Sequence, residues 1–263
     1  LQVAGLAAVA DEGSVGIQAA GLASVVDGGF TGAQSAGLVS VVDGGFKGMQ
    51  AAGLVNVTDG EAYGAQVAGL VNVAGSSLRG FQLGVFNVAE KVRGVQIGLV
   101  NVAEDMRGVP LGLVSYSGSW EPSREAWVDE TGFANVGYRS GSRRFYNLIY
   151  MGQRPGETWR WTLGAGAGAR FFLPWESCLE TGVECSHLNE DEFWTDGVNL
   201  LGRIKAAWVQ PIHGKISLAF GPSFNCLYSS KSNGDKIVPW SAYEHRGKRW
   251  LRLWPGMSAG LRF

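Results

Sequence analysis

No stretch of this 263-residue chain approaches the roughly 18 uninterrupted apolar residues of a membrane-crossing helix, and no charged-then-apolar leader opens it. Any membrane role therefore falls to strands. An excess of charge is missing as well: 22 Lys and Arg against 23 Asp and Glu leave a formal net charge of -1, without the basic footprint of non-specific nucleic-acid binding. Nucleic acid is excluded as a partner. Cys178, Cys185 and Cys226 form an odd set without C-x-x-C spacing, which removes a zinc site and a disulfide framework and leaves packing thiols. All ten Trp lie at or after Trp120 and all three His after position 180, whereas the first 110 residues are mostly Gly, Ala, Val, Leu, Asn and Gln. Two differently built halves are expected, 1–108 and 109–263.

The first half is repetitive. A phrase x-Q-x-A-G-L-x-x-V returns at Gln2, Gln18, Gln34, Gln50 and Gln66 with a period of 16, continues with a period of 14 at Gln82 and Gln96, and Pro110 takes the Gln place in the last copy. That makes five 16-residue and two 14-residue repeats. Gly5, Gly21 and Gly37 begin an in-phase glycine row, and a small polar residue follows at Ser24, Ser40, Asn56, Asn72, Asn87, Asn101 and Ser115. Within Val95–Val102 the side chains alternate as in a strand, and Asp27-Gly28, Asp43-Gly44 and Asp59-Gly60 supply tight turns. One copy is too short to bury a face alone. Stacking copies about 4.8 Å apart, with Asn and Gln amides in ladders, solves this and predicts a β-solenoid. The competing arrangement makes each copy one strand of a meander, even a membrane-embedded one.

From Val109 the period gives way to longer alternating strands. Trp159, Trp161, Leu163, Ala165, Ala167, Ala169 and Phe171 share one face, opposite Arg160, Thr162, Gly164, Gly166, Gly168 and Arg170. The same split sets Leu179, Val183 and Cys185 against Glu180 and Glu184, Ile204 and Trp208 against Arg203 and Lys205, and Leu261 and Phe263 against Arg262. An apolar face opposite a charged, glycine-rich one fits an all-β fold in which the repeats lead into a small outer-membrane barrel with a polar interior. Strands are expected near 110–118, 125–139, 143–152, 158–172, 177–187, 199–210, 215–228 and 254–263. Eight result, the last repeat supplying the first, and short turns at Gly141, Pro174 and His213 alternate with longer loops. This parity places the repeats in the periplasm beneath the barrel. Trp159, Trp175, Trp208, Trp250 and Trp254 fall near strand ends, as girdle residues do.

Gly94-Val95-Gln96-Ile97-Gly98-Leu99-Val100-Asn101-Val102-Ala103-Glu104, then Gly137-Tyr138-Arg139-Ser140-Gly141-Ser142-Arg143-Arg144-Phe145-Tyr146-Asn147-Leu148, and the closing Trp254-Pro255-Gly256-Met257-Ser258-Ala259-Gly260-Leu261-Arg262-Phe263 together carry a family resemblance. The chain resembles, over nearly its whole length, a family of outer-membrane surface repeat-containing proteins of Gram-negative anaerobes, whose repeats precede a barrel-like C-terminal domain. The resemblance implies an exported envelope protein and no particular activity. The 16-residue copies depart from the family's 14-residue unit. A terminal strand ending in Phe likewise resembles those read by the barrel-assembly machinery.

No catalytic, cofactor or metal set is expected. Gly164–Gly168 alternates along one strand, unlike a phosphate-binding loop, and is expected to leave lumen space for long Arg side chains. Ser186-His187 beside Glu184 invites a lipid A hydrolase reading, but consecutive strand residues point to opposite faces. His213 and His245 have no visible partners. Arg160, Arg170, Glu180, Glu184, Arg203, Lys205 and Arg262, with Asp129, make a lumen salt-bridge network. Arg246, Lys248, Arg249 and Arg252, interleaved with Trp250 and Trp254, are candidates for lipopolysaccharide phosphates, an interfacial anchor or an acidic partner. The expected function is a non-enzymatic envelope protein, its barrel anchoring a repeat platform that binds or organises another envelope component, as an adhesin or accessory subunit does. Because Leu1–Gly16 already matches the consensus without a polar cap, its edge is expected to be covered by upstream residues or a partner protein.

Overall fold

A computed structural model describes the chain apart from residues 12, 157–158, 231–240 and 247–248. All its regular structure is strand, and the chain divides into two compact units: Leu1–Glu121 with Ser140–Phe145, and Pro122–Arg139 with Tyr146–Phe263.

In the first unit each repeat is one coil of a parallel β-solenoid, made of two strands and two turns. The strands are β1 (Gln2–Ala4) and β2 (Ala7–Ala10), β3 (Ser14–Ala20) and β4 (Ala23–Asp27), β5 (Phe30–Ala36) and β6 (Val39–Asp43), β7 (Phe46–Ala52) and β8 (Val55–Thr58), then β9 (Ala62–Ala68). They continue as β10 (Val71–Leu83), β11 (Phe86–Ile97), β12 (Val100–Met106), β13 (Val109–Leu111) and β14 (Val114–Ser117). Every pairing is parallel, and Gln18 lies beside Gln2 and Gln34, so the meander alternative is overturned. The period shortens at β10 and β11, where Asn72 pairs with Asn87 and Gln82 with Gln96: one residue is lost in the turn after Leu83 and one at a register shift between Ala74 and Ser77.

Alternation points one residue in two into the coil. The polar ones form two ladders. Gln34 Nε2 donates to Gln18 Oε1 (3.1 Å), Gln50 to Gln34 (3.1 Å), Gln66 to Gln50 (2.8 Å) and Gln82 to Gln66 (2.7 Å), each toward the preceding coil. The Asn ladder runs the opposite way: Asn56 donates to Asn72 (2.9 Å), Asn72 to Asn87 (2.9 Å) and Asn87 to Asn101 (3.0 Å). A second amide hydrogen of each is taken by a carbonyl across the coil, such as Val41 O for Gln34 and Leu83 O for Asn72. Most buried amide groups are thereby satisfied, Asn56 Oδ1 and Gln96 Oε1 being ladder oxygens left without a partner, and Phe30, Phe46, Val26 and Val42, then Leu78, Val92 and Met106, fill the remaining interior. Close stacking also dictates a second glycine row, two residues before each Gln. At Gly48 φ is +132° and an added Cβ would stand 2.0 Å from Gly32 O.

The second unit is an antiparallel barrel of eight strands: β15 (Ser123–Asp129), β16 (Ala134–Gly141), β17 (Phe145–Arg154), β18 (Arg160–Phe172), β19 (Cys178–Glu190), β20 (Asn199–His213), β21 (Ile216–Ser229) and β23 (Trp250–Arg262). Pairing of Ala126 with Leu261 closes it. A further strand, β22 (Tyr243–Arg246), pairs with the start of β23. Two expectations are corrected here. Residues 110–118 are no barrel strand, because β13 and β14 pair with β11 and β12 of the solenoid. The stretch 125–139 is instead two strands, so the count of eight survives with different members. Turns at 142–144, 173–177 and 214–215 lie at the end that holds both barrel termini, where Arg124 and Phe263 exchange backbone hydrogen bonds.

Candidate functional site

The 125–139 stretch folds back because Asp129 Oδ1 accepts from the Thr131 backbone N-H (3.1 Å) and hydroxyl while Gly132 takes φ +78°. This hairpin sends Glu125, Asp129 and Arg139 into the lumen.

Three polar layers follow. In the first, Glu180 accepts from Arg139 (2.7 Å), Arg170 (3.1 Å) and both terminal nitrogens of Arg262 (2.7 and 2.8 Å), while Glu125 holds the other edge of Arg139 at 2.7 Å. Arg139 is 2% exposed and lies over the Tyr146 ring, 4.0 Å from its centroid. In the second, Arg203 reaches Asp129 (3.0 Å) and Asn225 (2.8 Å), and Glu184 faces Lys205 at 3.5 Å and Arg203 at 3.8 Å. In the third, Glu130 crosses Gly256, where no Cβ obstructs it, and accepts from Asn225 (2.8 Å), the Trp254 indole (2.9 Å) and Met257 N (3.1 Å). Beyond it Phe133, Leu188, Leu201, Leu227 and Trp254 form an apolar cluster. In the first two layers five cations thus meet four carboxylates, and in the third Glu130 accepts from neutral donors. Pairing of this kind is what a dry interior demands, since an isolated buried charge is far more costly than a bonded one.

Of the residues singled out from sequence, Arg170, Glu180 and Arg262 share the first layer, and Glu184, Arg203 and Lys205 the second. Arg160 sits apart, paired with Glu190 at 2.9 Å. Sequence reasoning missed Glu125, Arg139, Glu130 and Glu190; the signal was the Asp129-Glu-Thr-Gly132 turn, which resets the inward phase. The β18 glycines do not make room for arginines. A Cβ at Gly164 would meet the Tyr150 ring at 2.5 Å and one at Gly168 the Tyr146 ring at 2.4 Å.

The basic-aromatic cluster near the end of the chain is divided. Trp254 is fully buried and Arg252 is 4% exposed, so both face inward, the latter 3.9 Å from Glu244. They are not surface contacts, because β23 begins at Trp250 and its alternation carries them inside. Arg249 is exposed and donates to the Tyr228 hydroxyl, and Trp250 is half-buried. Lys248 and the Arg246 side chain lie outside the described residues. Trp159, Trp175 and Trp208 do face outward, and Trp161 gathers Trp159, Phe193 and Trp194 around it at 5.7–6.4 Å.

Ser186 and His187 are not brought together. Ser186 points inward, whereas His187 stacks on Trp194 at 4.5 Å and shares a hydrogen bond with Asn189 Oδ1 (3.2 Å). His213 and His245 are exposed. The three cysteines are free: Cys178 buried, Cys226 intermediate and Cys185 on the outer wall. No group of three or more His, Cys, Asp or Glu suited to a metal occurs among the described residues.

No family model and no curated protein matches the chain. Among solved structures, Neisserial surface protein A is similar over 54% of this chain and 92% of its own, at 12% identity and a TM-score of 0.35.

Proposed function

We propose that the barrel inserts in an outer membrane and anchors the repeat unit as a non-enzymatic scaffold for another component of the envelope. One observation carries the membrane part. From Ala126 onward, the outward positions of the eight barrel strands carry no Asp, Glu, Lys or Arg among the described residues, while the ten charged groups of the three layers, with Arg160, Glu190 and Arg252, face inward. Val128, Leu163, Val183, Ile204 and Met257 are each about half exposed or more on that wall. On β18 this band is bounded by Trp161 at one end and Phe171 at the other. Ten residue steps at about 3.3 Å, tilted about 40°, rise about 25 Å, the height of the apolar band of outer-membrane barrels. A soluble barrel would have the opposite arrangement, with its charges in water.

The scaffold part is supported by the two units' chemistry: a lumen closed by matched ion pairs and a coil interior closed by amide ladders. Fractionation and heat-modifiable gel mobility test the anchor. Recovery in the outer membrane with a compact unheated band is expected, and recovery in the soluble periplasm would overturn the reading. Mass spectrometry of lipid A from cells with and without the protein tests the non-enzymatic part; a changed acyl pattern would favour the hydrolase.

A further inference from the structure

One outer face of the solenoid has no polar side chain across most of its width. Its first column runs in register from Ala7 through Val39 and Val71 to Val114, and its second from Val9 through Val41 and Val73 to Tyr116. Every member of both columns is apolar save Tyr116, which ends the second, over eight strands. Along one margin the turn leucines add a third column, with Leu22, Leu38, Leu54, Leu70 and Leu99 each 40–52% exposed. Along the other margin stand carboxylates, Asp27 beside Asp43, then Asp59, Glu90 and Glu104. The opposite sheet differs: it carries Lys47, Tyr63, Arg79 and Arg93 in one outward column.

We propose that this Ala/Val face is the dimer interface of the protein, stacked on the same face of a second copy. Three features select that occupant. The columns are ridges repeating about every 4.8 Å, and a sheet of the same spacing is what can interdigitate with them along their whole length. Eight strands span about 34 Å and the apolar width is about 16 Å, so two copies would bury about 1,100 Å², enough for a specific interface. The acidic margin then decides orientation. A twofold axis parallel to the strands would set carboxylate column on carboxylate column, and like charges so placed repel. A twofold parallel to the coil-stacking axis sets each acidic margin against the partner's leucine margin and each coil against its counterpart. The acidic margin also disfavours an anionic lipid surface as the occupant.

The test uses the full chain in vesicles and in mild detergent, with Cys178→Ala, Cys185→Ala and Cys226→Ala removing the native thiols. A dimeric mass is expected, and a short bismaleimide should join Val25→Cys to itself but not to Val102→Cys in a mixed sample. Val41→Lys with Val57→Lys should give a monomer, whereas Ala65→Lys, on the opposite outer face, should leave the dimer intact. Heat-modifiable mobility reads barrel folding separately, so loss of the dimer is distinguishable from failure of the membrane anchor. A monomer in vesicles would overturn the proposal, whether Val57→Cys is open to water-soluble maleimide or quenched by lipid. Crosslinking of Val25 to Val102 would overturn it too, since that requires the reversed orientation.

Discussion

Glu180 is the single side chain on which most lumen charge converges. Substituting Glu180→Gln removes the carboxylate that Arg139, Arg170 and Arg262 share, of which Arg139 and Arg262 also reach Glu125, and breaking a buried pair in this way costs about 3–5 kcal/mol. The expected readout is a lower temperature for loss of the compact gel band; an unchanged midpoint would mean that water enters the lumen and solvates the arginines. In the solenoid, Gln50→Leu removes donors to Gln34 Oε1, Ser40 O and Val57 O and the acceptor for Gln66. A loss of about 1–3 kcal/mol is expected in urea unfolding followed by circular dichroism. Gly48→Ala should be more damaging than Gln50→Leu in the same assay, because the clash with Gly32 O falls on backbone and the φ is unfavourable to any side chain. The Gln and Asn rows were legible from the period alone. Arg139 was not, since its phase depends on a turn seven residues earlier that resembles any Asp-x-x-Gly in a loop.

Among elements, β18 was the most legible because thirteen residues alternate without a break. Its outward face makes the membrane reading quantitative. Arg in place of Ala167, near the middle of the band, is expected to cost about 2–4 kcal/mol, and Phe171→Arg at its edge about 0–1 kcal/mol. Refolding yields into vesicles would check this gradient, and equal effects at the two positions would place the wall in water. The β15–β16 hairpin and the last coil were the elements misread. Residues 109–117 alternate as a barrel strand does, and alternation reports which faces differ, not which neighbour supplies the hydrogen bonds. Parallel pairing with β11 and β12 is a long-range choice. Trp254 shows the same limit: its position near a strand end suggested a girdle, while the inward phase of β23 puts it on Phe133 and Leu227.

For the molecule as a whole, the two units hold separate cores, amide ladders with Val, Phe and Leu in one and ion pairs with Tyr and Trp in the other. Two transitions are therefore expected in calorimetry, Gly48→Ala lowering one and Glu180→Gln the other; a single transition shifted by both would show one cooperative body. By itself the sequence determined that the chain is all-β, that its first part is built of strand-and-turn repeats, for which stacked coils were preferred to a meander, and that a barrel with charges inside follows, because periods of 16, 14 and 2 are local properties of side-chain order. Only the tertiary structure decided that each coil carries two strands, that the barrel starts at Ser123, and which carboxylate meets which guanidinium. Those outcomes depend on strand register and barrel closure, which bring together residues as distant as Glu125 and Arg262, and no local pattern encodes that meeting.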